Sequence, residues 1–160
     1  MNELKKEFVK FLLETKAVRF GEFKLKSRRI SPYFINIGEI IDGKNISKLG
    51  EFYAKAIMEY NIIDKIDVLF GPSYKGIPIV ISTAIALNNI FGICKRFAFN
   101  RKEIKDYGEK GIIIGEIKEG DRILLLDDVI TTGETKEEIL KIISSLNAKV
   151  CFIIIAVDRL

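Results

Sequence analysis

The sequence predicts an α/β protein: one central, mostly parallel β-sheet flanked by helices. Short, uninterrupted apolar runs such as IDVLFGP, RILLLDD and VCFIIIAV have the length and continuity of strands buried on both faces. Between them lie stretches whose apolar residues recur every three or four positions, and strands alternating with helices build parallel sheets. The third observation is size. With 160 residues, 48% hydrophobic and 30% charged, and no linker, repeat or low-complexity tract, residues 1–160 suit one unit with a sizeable core.

In chain order, Leu4, Phe8, Phe11 and Leu12 share one face of an N-terminal helix. The segment FGEFKLKSRRISPYFINIG reads as extended structure with a turn at Pro32. Leu49, Phe52, Tyr53, Ala56, Ile57 and Tyr60 repeat at helical spacing in a second helix. IDVLFGP is a buried strand, SYKG a turn, and an almost wholly apolar helix follows from about Ile77 to Asn89. Pro78 suits the first turn of that helix, where its missing N–H costs nothing. GICKRFAF is another strand, NRKEIKDYGEKG a charged loop, GIIIGEI a further short strand and KEGD a turn. RILLLDD comes next, then a helix with Ile139, Ile142, Ile143 and Leu146 on one face, then the strand KVCFIIIAV.

Composition excludes several chemistries. The absence of histidine rules out Ser-His and Cys-His nucleophiles, His-ligated zinc and imidazole acid–base catalysis. Cys94 and Cys151 lack metal-ligand spacing and read as buried structural thiols. The apolar runs fall well short of the roughly 18 to 20 residues a bilayer crossing requires, and the N-terminus has no signal-peptide core, so a cytoplasmic protein without a membrane partner is expected. A formal charge of +4, without an aromatic-interleaved basic stripe, suits a small anion, and no nucleic-acid partner is expected.

The stretch RILLLDDVITTGET carries the most chemistry. Ligands of open α/β sheets bind beyond the carboxyl ends of the strands, which is where this segment turns. Asp127 and Asp128 can accept hydrogen bonds from vicinal ribose hydroxyls. Thr131, Thr132 and Thr135 then offer hydroxyls, Gly133 permissive backbone, and the helix starting near Glu134 its free amides, a cradle for a phosphate monoester. The plainer reading is a polar turn with Thr131 or Thr132 as helix N-cap and the acids solvated. A Walker B strand is a sharper competitor, but GPSYKGIP has Ile77 and Pro78 where a P-loop needs Lys and Ser or Thr, which disfavours nucleotide hydrolysis.

RILLLDDVITTGET closely resembles the 5-phosphoribosyl 1-diphosphate (PRPP) binding motif of type I phosphoribosyltransferases. FGEFKLKSRRISPYF, FGPSYKGIPI, FNRKEIKDYGEKG and the terminal VDRL resemble, in the same order, segments of the orotate phosphoribosyltransferase family. The likeness runs from about Arg19 to Leu160. It implies the type I phosphoribosyltransferase fold, with residues 1–40 contributing a small hood over the base. It also implies transfer of ribose 5-phosphate from PRPP to orotate, giving orotidine 5'-phosphate and diphosphate, with Mg2+ held mainly by PRPP and water.

The resemblance assigns Asp127 and Asp128 to the ribose hydroxyls and residues 131–135 to the 5'-phosphate. Lys75, Arg101, Lys102 and Lys105 fall to the diphosphate, Tyr74 counts among the substrate-binding residues, Lys26 lies near the reacting centre, and Phe34 and Arg159 meet orotate. Catalytic parts are implied for Lys26, Arg101, Lys102, Lys105 and Asp128. By their own chemistry, Lys26, Arg28 and Arg29 read as edge-strand charges, Phe34 as a core aromatic, Arg159 as a surface residue and RKEIKDYGEK as a solvated loop. In the family the segment from about Asn100 to Gly111 is a lid shared between subunits, with Gly108 and Gly111 as candidate hinges, implying a homodimer.

Four features depart from the family pattern. Tyr107 replaces a common histidine, Arg28 stands where glycine is usual, Ile35 replaces a second phenylalanine, and the family continues past the VDR strand whereas this sequence ends at Leu160. A transferase for another nucleobase and a non-catalytic PRPP-binding regulator are the competing readings. LKSRRISPYF and RKEIKDYGEKG oppose the first, and Lys102 and Lys105 the second.

Overall fold

The computed structural model describes residues 2–24, 30–105, 111–130 and 134–158. Helix α1 (Glu3–Glu14) is capped by the Asn2 side chain, which accepts from the Lys5 amide, and buries Phe11 and Leu12. Strands β1 (Val18–Lys24) and β2 (Ile30–Ile35) form a separate antiparallel ribbon. Helix α2 (Gly43–Glu59) starts at the Asp42 cap and buries Leu49, Phe52, Tyr53 and Ile57, whereas Tyr60 lies past its end and is exposed.

The main sheet comprises β3 (Val68–Gly71), β4 (Arg96–Lys105), β5 (Gly111–Gly115), β6 (Arg122–Ile130) and β7 (Lys149–Asp158), in the spatial order β5-β4-β3-β6-β7. β3 pairs in parallel with β4 and β6, and β6 with β7; β4 and β5 are antiparallel. Helix α3 (Gly76–Phe91) connects β3 to β4, and α4 (Glu134–Ser145) connects β6 to β7. One core cluster joins α1, α2 and α3 to the sheet through Leu69, Leu124 and Leu126. On the other face, Ile139 and Ile143 of α4 pack with Val68, Phe70, Ile123 and Leu125. Alternate residues of β3 and β6 therefore feed opposite clusters, as strands buried on both faces must.

Several expectations need correction. Pro32 sits within β2 rather than at a turn. The register shifts between Phe20 and Phe23 of β1, so the ribbon is irregular opposite Pro32, where a missing N–H breaks no regular ladder. The charged segment after GICKRFAF is strand as far as Lys105, so Arg101 and Lys102 belong to β4 and not to a loop. β6 likewise runs past its two acids to Ile130. Cys94 is exposed in the α3–β4 connection and Cys151 half-buried on the sheet-edge strand β7, so neither is a fully buried thiol. Leu146 lies beyond α4 and is partly exposed.

Two bidentate ion pairs tie the amino ends of the strands. Arg122 binds Asp67 through Nε and Nη2 at 2.9 and 2.8 Å, and Arg96 binds Asp121 at 3.0 and 2.7 Å. Hydrogen bonds from the Arg122 side chain, then its amide, hold the Asp67 carboxyl well below its ordinary range. Burial is the largest influence on Asp121 and pushes it up, but the Arg96 bonds and the Lys118 amide together bring it lower. Depressed carboxyls stabilise the fold fully above their unfolded values and lose that contribution as pH falls through the folded ones. Thermal stability is therefore expected to drop below about pH 4, and a D67N/D121N double variant, melted across that range, should show a flatter decline. An unchanged slope would place the acid sensitivity elsewhere.

Candidate functional site

The strand order reverses between β3 and β6: the chain leaves β3 towards β4 on one side and leaves β6 towards β7 on the other. The segments leaving their carboxyl ends consequently diverge, and the crevice between such segments is the usual ligand position in these sheets. Lys75 at the start of α3 reaches Asp128 Oδ2 across this crevice at 3.4 Å. The β3–α3 turn is tight. The Gly76 amide donates to Pro72 O and the Ile77 amide to Tyr74 O, and Pro78 has no amide hydrogen. Much of the attraction for an anion there therefore rests on the Lys75 ammonium.

Asn100 on β4 braces the turn. Its side-chain oxygen accepts from the Ser73 amide at 2.9 Å, and its nitrogen donates to Ser73 Oγ and Arg101 O, each at 3.1 Å. Beside it, Lys102 Nζ lies 4.9 Å from the centre of the exposed Tyr74 ring. Tyr74, Lys75, Lys102 and Asp128 thus border one crevice, with Arg101 next along β4. Phe34 stands on the β1–β2 ribbon, stacked on Phe23 with centroids 5.5 Å apart and with the Arg19 guanidinium 5.6 Å from its ring centre. It is half-buried rather than a core residue.

Both acids are buried, not solvated. Asp127 Oδ1 accepts from the Asp128 amide at 2.9 Å, and Asp128 Oδ1 from the Val129 amide at 2.8 Å. The Lys136 ammonium binds Asp127 Oδ2 and also donates to Val129 O at 2.8 Å. From α2, the Tyr53 hydroxyl donates to the Asp127 carbonyl at 2.7 Å. Burial, with the charges of Asp128 and Asp127 adding to it, raises the Tyr53 phenol well above its ordinary value, so it remains a neutral donor. Burial also pushes the Asp127 carboxyl up; the Lys136 hydrogen bond and charge oppose that shift without cancelling it.

The two lysine–acid pairs differ in strength. Lys75 is 51% exposed, and pairs of that kind are worth about 0–1 kcal/mol, so an incoming anion can draw it away. Lys136 and Asp127 are 11% and 9% exposed, and removing one partner of such a pair costs about 3–5 kcal/mol. One lysine is a movable cation; the other is fixed.

Lys26, Thr131, Thr132, Gly133 and Arg159 lie outside the described residues, as do Arg28, Arg29, Tyr107 and Gly108. The backbone places Lys105 at the end of β4 and Glu134 and Thr135 at the start of α4. Lys136, Tyr53 and Asn100 were not singled out as site residues by their sequence context. Tyr53 reads as one of the apolar-face residues of the second helix, and the signal that could have found Lys136 is a cation in a first helical turn, which runs against the helix dipole and points to another partner.

Residues 36–159, which carry this mostly parallel sheet with paired acids and a lysine turn at its switch point, match the phosphoribosyl transferase domain, and the chain is of that class. The relatives narrow the class. The chain is 46% identical over 162 aligned positions to the orotate phosphoribosyltransferase of Clostridium acetobutylicum, covering all of this chain and 72% of that protein. To the enzyme of the same name from Mannheimia succiniciproducens it is 49% identical over 159 positions, covering 99% and 73%. The crystal structure of orotate phosphoribosyltransferase from Francisella tularensis superposes with a TM-score of 0.81 at 37% identity, over 93% of this chain and 69% of that one. This chain belongs to the orotate phosphoribosyltransferase family.

Proposed function

We propose that this chain transfers ribose 5-phosphate from PRPP to orotate in pyrimidine nucleotide synthesis. The bond from ribose C1 to the diphosphate oxygen breaks as the bond from C1 to N1 of orotate forms. The products are diphosphate and orotidine 5'-phosphate. The observation carrying this reading is the crevice in which a movable Lys75 faces the buried Asp127–Asp128 pair, together with the identity to orotate phosphoribosyltransferases.

In this reading Asp127 and Asp128 accept the ribose hydroxyls, and residues 131–135 receive the 5'-phosphate. Lys75 turns from Asp128 to the diphosphate, joined there by Arg101, Lys102 and Lys105, with Tyr74 beside them on the substrate. These cations stabilise charge that grows on the leaving group as the C1–O bond breaks, the kind of differential stabilisation that lowers a barrier. Lys26, Phe34 and Arg159 are assigned to orotate, with residues 1–40 forming the hood. Orotate's ring nitrogen reacts as an anion, which suits a chain without histidine.

Among the described residues no three acidic or cysteine side chains gather to hold a metal. Of the two crevice acids Asp127 is committed to Lys136, which leaves Asp128 alone without a cluster of ligands, a donor set that fits Mg2+ held by PRPP oxygens and water rather than by the chain. Bound in that way, Mg2+ would neutralise diphosphate charge. A homodimer sharing its lid, in the cytoplasm, completes the proposal. Among the described residues, no helix is long and apolar enough to cross a membrane.

The test is orotate consumption followed by ultraviolet absorbance, with uracil, hypoxanthine and adenine in parallel. Loss of orotate requiring both PRPP and Mg2+ is expected. Turnover of another base alone would reassign the substrate, and PRPP binding without turnover of any base would make the chain a regulator.

A further inference from the structure

Lys136 occupies a place that local electrostatics disfavour. It is in the first turn of α4, at the positive end of the helix dipole, yet its side chain folds inward onto β6. There the ammonium meets Asp127 Oδ2 and Val129 O, while Asp127 Oδ1 is taken by the Asp128 amide and the Asp127 carbonyl by Tyr53. Both carboxylate oxygens and the carbonyl of Asp127 are therefore fixed from different elements.

We propose that Lys136 is a positioning residue: through its contact with Asp127 it holds that buried carboxylate charged and oriented as the acceptor for a ribose hydroxyl, a role that rests on the phosphoribosyl-transfer reading above. Tying α4 to the sheet does not explain the contact, because Ile139 and Ile143 already anchor that helix in the apolar cluster with Phe70 and Leu125. Nor does Lys75 duplicate it, since Lys75 pairs with Asp128 and faces solvent. The groups facing Asp127 among the described residues are Lys136 from α4, Asp128 on its own strand and the Tyr53 hydroxyl from α2, with Lys75 from the β3–α3 turn acting through Asp128. Of these, Lys136 is the cation in direct contact.

Burial already drives the Asp127 carboxyl upward, and removing Lys136 drives it further. The acid limb of PRPP binding should therefore move to higher pH. K136M is expected to raise the KM for PRPP about tenfold near pH 7 while changing kcat less than about threefold. The deficit should shrink as pH rises and Asp127 regains its charge. K136R should restore most of the affinity, and K136M should add little on a D127N background, because the partner it serves is already neutral.

A wild-type KM in K136M, a deficit equal at every pH, or an undiminished effect on D127N would each overturn the role. If K136M alone does not fold, K136R and the D127N/K136M double variant decide the matter by the same criteria. Calorimetry of the wild-type chain with PRPP separates the two levels of inference. Absence of binding removes the phosphoribosyl-transfer reading and this role with it, whereas wild-type binding with an unaffected K136M removes this role alone.

Discussion

A D127N/D128N double variant is expected to lose about a thousandfold in kcat/KM for PRPP while retaining its sheet. Each aspartate would accept a charge-assisted hydrogen bond, and such bonds contribute about 1.5–3 kcal/mol apiece. Two of them amount to roughly two to four decades at about 1.4 kcal/mol per decade. Asparagine keeps the shape and an acceptor oxygen, so the loss should track the charge rather than the packing. The apolar residues that secure β6, Ile123 to Leu126, are untouched. The main structural cost is the Lys136 ammonium, left with Val129 O and a neutral amide in place of a carboxylate, so a lowered melting temperature without loss of cooperativity is expected. Calorimetric PRPP binding beside a melting curve checks both halves. Unchanged binding would move the ribose site away from β6.

The interior of the sheet was legible in the sequence because burial on both faces leaves little choice of residue. Val68 to Phe70 and Ile123 to Leu126 are fully buried, and continuous apolar runs announce them. The signal fades where burial does. β4 pairs antiparallel with β5 from Ala98 to Asn100 and continues past a register shift through Arg101 and Lys102 to Lys105, and charged strand residues of this kind carry no apolar pattern to distinguish them from a loop. β7 shows the converse. Its run of isoleucines reads as fully buried, but it is a sheet edge, and Ile153 remains 42% exposed.

The site divides in the same way. Asp127 and Asp128 stood out because two acids directly after four apolar residues are rare in a strand that must be buried. Tyr53 did not, because nothing local marks it, and Lys136 carries only the slight mark of a cation in a first helical turn. Their roles arise only when α4 and α2 are laid against β6, which brings Tyr53 to a carbonyl 74 positions away. The Lys75 turn lies between these cases. Its glycines and lysine are visible in GPSYKG, but its bracing by Asn100 depends on the β3–β4 pairing.

Gly71→Ala is expected to damage stability and catalysis together, and Gly50→Ala stability alone. A methyl group at Gly71 would lie 2.2 Å from Gly76 O, 2.6 Å from Gly76 C and 2.8 Å from Val80 Cγ1. At Gly50 it would lie 2.3 Å from Ser82 O, where α2 crosses α3. Both contacts are with backbone, which cannot swing aside as the end of a side chain can. Overpacking typically costs about 1–3 kcal/mol, and backbone collisions belong at or above the top of that range. A loss of about 3 kcal/mol lowers the melting temperature of a chain this size by roughly 6–12 °C. The consequences then separate by position. Gly71 and Gly76 are the two ends of the turn that carries Lys75 to Asp128, so relieving the first clash must open that turn, and a displacement of about 1 Å there is enough to cost on the order of a hundredfold in kcat/KM. Relieving the second clash spreads α2 from the middle of α3, beyond the first turn of that helix and the Lys75 turn before it. Kinetics at a temperature where both variants are folded should therefore find G50A near wild type and G71A strongly impaired. Equal impairment would mean that the helix pair, through Tyr53 and Asp127, controls the site as firmly as the turn does.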